Sequence, residues 1–412
     1  MLREIFRRIF GNKEEEIRQQ LSVYAQDIAQ HLAPAGRKRI LALDGGGVRG
    51  AMAIAVLERI EDLLRARHGN DPDFRLCDYY DLIGGTSTGS IIAAALAAKR
   101  FKASEIREIY FDLGPKVFKK SLFRQGATRA VFDGNQLLKL LDGVFGDMTL
   151  GSEEVTTGLA IVSKRIDTSS TWVMHNNPNA PFYDDPPNGD WLGNKHYPIK
   201  NIIRASTAAP HYFKPEKIEI VPGGNKGERY GLFMDGGITP HNNPAFQMIM
   251  LAGISRYGYG WTLTNDNILV TNIGTGSMVE KVPADDFGKR MHAGKTIAAL
   301  TSMISGSEDF IELLMQWFGE SPDPRHIDSE IGTLEHELLA EGPMFTYQRY
   351  QSTLMKSKLA DELGLHLSDK EIKILRDMTN PKALMPSYKI GQVMAEKLVK
   401  PDHFPERFDL VR

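Results

Sequence analysis

The chain has 412 residues, long enough for one large domain or two ordinary ones, and its 42% apolar and 25% charged content is that of a globular protein. A formal net charge of −2 gives no global reason to bind nucleic acid, so no nucleic acid partner is expected. The single cysteine, Cys77, excludes an internal disulfide and a cysteine-built zinc site, and it suits a reducing cytoplasm.

The N-terminus, MLREIFRRIFGNKEEE, interrupts its apolar residues with arginines and does not read as a secretory signal. Leu2, Ile5, Phe6, Ile9 and Phe10 share one helical face, which predicts a small amphipathic helix ended by Gly11 and Asn12. Such a helix suits a membrane surface or a docking site on protein, and the pattern leaves both open. Residues 14–32 read as a second, mostly polar helix. The best apolar run, residues 91–98, falls far short of the roughly 18 residues of a membrane span. The expectation is a cytoplasmic protein, peripheral at the inner membrane surface when active.

Residues 39–43 read as a strand that runs through Asp44 into GGGVRG and then a helix over 51–67. Gly45, Gly47 and Gly50 satisfy GxGxxG, whose bare N–H groups can face a dinucleotide's phosphates or another negative charge. A dinucleotide loop also needs an acid at the end of the second strand, and Asp71 and Asp73 fall instead in a helix end and loop. The nucleoside-triphosphate pattern GxxxxGK[ST] is absent.

A strand over 80–84 and a helix over 90–99 flank Gly85, Ser87 and Gly89, which make GxSxG. In that setting the pattern predicts a nucleophile elbow that holds the Ser87 hydroxyl out at the carboxyl end of the sheet. A serine hydroxyl needs a base. After strands over 159–163 and 171–175 and a long loop over 176–198, a strand over 231–234 ends in Asp235, Gly236 and Gly237. An acid at the carboxyl end of a strand lies on the same rim as the elbow, which makes Asp235 the leading base. A standard triad would add His241, for which an exposed loop histidine is the plainer reading. Acyl transfer further needs donors for the oxyanion, and Gly45, Gly46 and Gly47 can offer backbone N–H groups.

A strand over 267–273 follows, and beyond Ser277 the pattern becomes mostly helical, with a capping box at Ser368 and Glu371 and a staple at Leu367 and Ile372. Strands interleaved with helices predict an α/β fold with a mainly parallel central sheet, helices on both faces, and helical additions at both ends. The division expected is a helical segment 1–37, a catalytic α/β domain 38–277 and a mostly helical part 278–412 on the same domain.

DGGGVRG at 44–50, GTSTG at 85–89 and DGG at 235–237, in this order, closely resemble the patatin-like phospholipases. ASTAAPHYF at 205–213 and ILVTNIGTGS at 268–277 are similar to two further stretches of that family. The resemblance implies a lipid acyl hydrolase with a Ser87–Asp235 dyad, an oxyanion hole at Gly45, Gly46 and Gly47, and Arg49 steadying that loop or facing an anionic head group. Gly85, Gly89, Gly236 and Gly237 would support the site, with no metal and no cofactor. The spacer ITPH between DGG and NNP is one residue longer than the commonest family pattern, which concerns the path of that loop and not Asp235. Bacterial members of similar size serve as antiviral effectors switched on by a cyclic nucleotide, for which the helical additions offer room. The partners implied are a membrane phospholipid substrate, a cyclic nucleotide activator and, as a homo-oligomer, further copies of the chain. Two other readings stay open: a noncatalytic nucleotide-binding module on GGGVRG, and a small-ester hydrolase with a Ser87–His241–Asp235 triad.

Overall fold

Strands buried along their whole length, as a sheet covered on both faces requires, mark the middle of the molecule. The computed structural model describes residues 22–118, 132–225, 227–277 and 292–411. Among them, β1 (Lys38–Leu43), β2 (Leu82–Thr86), β3 (Gly158–Arg165), β4 (Ser170–His175), β5 (Glu216–Glu219), β6 (Tyr230–Asp235), β7 (Ile268–Ile273) and β8 (Thr346–Tyr350) form one sheet. Their order is β5-β6-β3-β2-β1-β7-β8, with β4 also on β3. The run from β3 to β8 is parallel, while β4 and β6 pair antiparallel with β3, and β5 antiparallel with β6.

The helices are α1 (Ile28–Leu32), α2 (Gly50–Arg67), α3 (Leu76–Tyr79), α4 (Thr88–Lys99), α5 (Ala103–Val117), α6 (Gly134–Phe145), α7 (Ile199–Ser206), α8 (Ala245–Gly253), α9 (His292–Phe318), α10 (Lys356–Leu363), α11 (Asp369–Arg376) and α12 (Leu384–Leu398). Alternation along β1 separates two cores. Leu41 and Leu43 pack with Met52, Ile92 and Met394 from α2, α4 and α12, whereas Ile40 and Ala42 pack with Met248 and Leu251 of α8 and Ile311 and Met315 of α9. The expected sheet with helices on both faces is therefore the one observed. No helix among the described residues is long and apolar enough to cross a membrane.

The helix expected over residues 2–10 lies outside the described residues. Of the helix expected over 14–32, the described part is helical only from Ile28, because Asp27 caps it there by accepting from the Gln30 N–H. The α11 helix begins after Ser368, which accepts from the Glu371 N–H as the capping box requires. The expected boundary at 277 does not follow the sheet, since β8 lies beside β7 and extends the parallel run.

β6 is one of the strands that depart from the mainly parallel order. On one edge of β3, β2 pairs in parallel as far as Thr86 opposite Val162, and β6 pairs antiparallel down to Asp235 opposite Ser163. The other edge is taken by β4 from Ala160 to Arg165. Strands β2 and β6 thus share an edge and run toward each other, so their carboxyl ends meet head-on.

Asp44, directly after β1, is fixed from across the sheet. Arg349 on β8 places Nη2 2.9 Å from Asp44 Oδ2, and Asn272 on the intervening β7 donates to Asp44 Oδ1 at 2.9 Å. Both charged side chains are 1% exposed, and Glu312 of α9 lies 3.2 Å from Arg349 Nε. Breaking a buried pair leaves one charge uncompensated. Arg349→Met is expected to lower stability by about 3–5 kcal/mol in urea denaturation, well above the cost of an ordinary surface change.

Candidate active site

The chain turns from β2 into α4 at Ser87, whose φ of 52° and ψ of −122° are rare for a residue with a side chain. Neighbours hold it there. The Ser87 N–H donates to Ser206 Oγ at 2.9 Å, Ser206 donates to the Val162 carbonyl at 2.6 Å, and Ser90 Oγ donates to the Ser87 carbonyl at 2.6 Å. Only glycine fits at position 89, where a Cβ would stand 2.2 Å from the Leu43 carbonyl oxygen. This is the geometry of a nucleophile elbow.

The meeting of β2 and β6 puts Asp235 in front of it. Ser87 Oγ donates to Asp235 Oδ2 at 2.8 Å, and the other carboxylate oxygen accepts the Gly237 N–H at 2.7 Å. Burial pushes the Asp235 carboxyl up to about 6, against the opposing pull of the Gly237 N–H, the Ser87 hydroxyl and the Arg204 charge. The His241 ring hydrogen-bonds neither Ser87 nor Asp235, and its Nδ1 is buried without a partner. His241 instead lends its carbonyl oxygen to the Thr86 hydroxyl at 2.6 Å. A triad through His241 is not assembled.

The glycine loop lies against the elbow, but its three N–H groups are not equivalent. Gly45 donates to the Asn242 carbonyl at 3.1 Å, so its N–H is committed and the expected oxyanion role does not extend to it. Among the described residues, the N–H groups of Gly46 and Gly47 have no acceptor, nor has that of Thr88 at the start of α4. All three residues line the cavity that contains Ser87 and Asp235. Gly46 must lack a side chain, because a Cβ would lie 2.0 Å from Thr275 Oγ1. Arg49 also lines the cavity, with Nε and Nη1 buried and unpartnered, and burial lowers its guanidinium to about 10.

Sequence reasoning missed the residues that hold this loop. Tyr110 of α5 donates its hydroxyl to the Gly47 carbonyl and shares a 2.6 Å hydrogen bond with Thr88 Oγ1, tying the glycine loop to the elbow. Thr275 donates to the Gly45 carbonyl at 2.7 Å, and the Met378 carbonyl accepts the Val48 N–H at 2.9 Å. Asn242 and Thr275 carried a local signal, the first because it follows the DGG turn within a few residues and the second because it lies in the ILVTNIGTGS stretch. The cavity itself is apolar beyond the loop, about 190 Å³ in volume and walled by residues such as Ile91, Ile106, Leu113, Leu137, Leu141 and Phe145.

The family description "Patatin-like phospholipase" matches residues 41–249. The chain is 29% identical to Patatin-2-Kuras 4 of Solanum tuberosum over 253 residues, which cover 58% of this chain and 63% of that protein. It is 31% identical to Patatin-17 of Solanum cardiophyllum over 222 residues, 52% of each chain. A cGAMP-activated phospholipase of Escherichia coli is 27% identical over 243 residues, covering 58% of this chain and 62% of that one. The chain thus spans between about half and 63% of the length of these curated relatives.

Loss of the Tyr110 hydroxyl should loosen the loop without emptying the cavity. Tyr110→Phe is expected to slow labelling of Ser87 by an alkyl fluorophosphonate about 10-fold, measured as the second-order rate by mass spectrometry, because small misplacements at a reacting centre are costly.

Proposed function

The chain belongs to the patatin-like phospholipase family, and from that premise we propose that it cleaves carboxylic ester bonds of membrane phospholipids through Ser87 and Asp235. The observation that carries this reading is the 2.8 Å hydrogen bond from Ser87 Oγ to a buried carboxylate at the mouth of an apolar cavity. Asp235 takes the hydroxyl proton as Ser87 Oγ attacks the ester carbonyl. The oxyanion that forms is received by the N–H groups of Gly46, Gly47 and Thr88. Collapse expels the lysophospholipid alkoxide, which takes the proton back from Asp235, and leaves the acyl group on Ser87. Water then gives a proton to Asp235 and its oxygen to the acyl carbon, and collapse expels Ser87 Oγ, which takes that proton back from Asp235 as the fatty acid leaves. The apolar wall holds the acyl chain, and Arg49 faces the head-group phosphate.

The enzyme would act from the cytoplasm on the inner membrane surface. Its similarity to a cGAMP-activated phospholipase supports adding a cyclic nucleotide as activator, in an antiviral effector role. Addition of cGAMP to purified protein on phospholipid vesicles is expected to raise fatty-acid release by about 5- to 150-fold, and an unchanged rate removes that activator from the reading.

Ser87→Ala and Asp235→Asn are each expected to reduce fatty-acid release from vesicles by about 1,000-fold or more, and activity retained in either variant overturns the dyad. The base works deprotonated, so lowering the pH below the Asp235 value removes it. The kcat/KM of the wild type should therefore hold a plateau above about pH 6 and fall tenfold per pH unit well below it.

A further inference from the structure

Two buried, oppositely charged side chains in the cavity wall attract each other without forming a direct ion pair. Arg49 is 6% exposed and leaves Nε and Nη1 without a partner. Glu308 of α9, 9% exposed, accepts from Asn242 Nδ2 at one carboxylate oxygen, and its other oxygen makes no hydrogen bond with the described residues. Both residues line the cavity that holds Ser87, yet they form no ion pair with each other. We propose that Arg49 and Glu308 form a two-charge head-group subsite that selects zwitterionic phospholipids bearing a primary ammonium, the phosphate meeting Arg49 and the ammonium meeting the free oxygen of Glu308. This inference rests on the hydrolase reading above and deepens it.

The electrostatics favour a ligand with both signs. Burial raises the Glu308 carboxyl to about 7, and the nearby Asp44 adds to the rise, while Arg349 and Arg49 act only against it. A lone anion at Arg49 would bind beside the Glu308 carboxylate, and a lone cation at Glu308 would bind beside the guanidinium. A zwitterion relieves both charges at once. A primary ammonium has N–H donors for a carboxylate, whereas a quaternary one is recognised by aromatic faces. Among the described residues, those of α9 that line the cavity beside Glu308 are Thr301, Ile304 and Ser305, none of them aromatic; the cavity's aromatic residues, Tyr110, Phe118, Phe145, Tyr212 and Phe213, come from other elements. Glu308 also lies outside the stretch 41–249 that carries the family match, which fits a residue concerned with selection and not with the shared chemistry.

Glu308 has a second contact, through Asn242 to the Gly45 N–H, so its replacement can disturb the glycine loop. A ratio between two substrates cancels that disturbance, because both use the same loop. Phosphatidylethanolamine and phosphatidylglycerol with identical acyl chains would be presented at equal mole fraction in mixed micelles of a neutral detergent. Wild-type protein should prefer the ethanolamine lipid, and Glu308→Gln should lower the ethanolamine-to-glycerol ratio of kcat/KM about 10-fold, the scale of one charge-assisted hydrogen bond. An unchanged ratio overturns the subsite. A variant-free measurement reads the same question: glycerophosphoethanolamine should inhibit wild-type hydrolysis of a neutral ester more strongly than glycerophosphoglycerol does, and equal inhibition also overturns it. Wild-type protein that releases fatty acid from neither lipid nor ester overturns the hydrolase reading itself, a result distinct from active protein without head-group preference.

Discussion

One edge of β3 governs the site. Between Val162 and Ser163 that edge passes from β2, running one way, to β6, running the other, and the two strands end against each other. A nucleophile at the end of β2 and an acid at the end of β6 then stand in hydrogen-bond contact without any third group between them. A histidine could mediate only if the strand ends were farther apart. The antiparallel junction leaves no such gap, and the direct pairing of Ser87 with Asp235 follows from sheet topology as much as from side-chain chemistry. The junction is itself sealed by Ser206, which bonds the Val162 carbonyl on one side and the Ser87 N–H on the other.

The glycine loop depends on a different set of constraints, most of them remote in sequence. Asp44 anchors its start through Arg349, Gly45 is gripped by Asn242 and Thr275, and Gly47 is held by Tyr110. Of these groups Arg349 comes from beyond residue 277, as does the Met378 carbonyl that accepts the Val48 N–H, so the C-terminal third contributes directly to the site's geometry. A loop this free of side chains would otherwise sample many conformations. Anchored through its carbonyls, it holds Gly46 and Gly47, whose N–H groups have no acceptor among the described residues, at the cavity wall.

What the sequence made legible follows from this division. GxSxG and DGG leave a trace at their own positions because a Cβ at Gly89 or Gly236 would collide with the main-chain oxygen of Leu43 or Val162, which only glycine avoids. The alternation that sends Leu41 and Ile40 to opposite cores is equally local. Tyr110, Glu308 and Arg349 gave no signal, because each matters only through a partner brought near by the fold; Arg349 and Asp44 are 305 positions apart. β8 escaped for a related reason. Its sequence TYQRY carries Thr346, Gln348 and Arg349, which periodicity scores as exposed, yet all three are buried with polar partners. Strand direction is also silent in sequence, which is why the antiparallel run of β6 was not read. The commitment of the Gly45 N–H to Asn242 was hidden for the same reason, since it requires knowing where a loop nearly two hundred residues away returns.

Burial acts on the acids of this protein against very different local opposition; Asp81 and the two cavity acids, Asp235 and Glu308, stand at opposite ends, while Glu61, outside the cavity, also rises to about 7. Asp81 lies as deep as any, and burial alone would raise its carboxyl. Arg39 Nε at 2.9 Å and His31 Nδ1 at 3.0 Å overcome that effect, and the group is held near 2. Every charge there has its counterpart inside the protein. Asp235 and Glu308 are buried to a similar degree, but nothing of that strength stands beside them, and their carboxyls rise to about 6 and about 7. An under-compensated carboxylate costs stability, and a fold selected for stability alone would pair it or replace it. Asp235 and Glu308 line one cavity together with Arg49, whose Nε and Nη1 are unpartnered, and Ser87 in its strained turn. On the proposed reading, Asp235 is answered by the proton it takes from Ser87, and Glu308 and Arg49 by charge carried on a ligand.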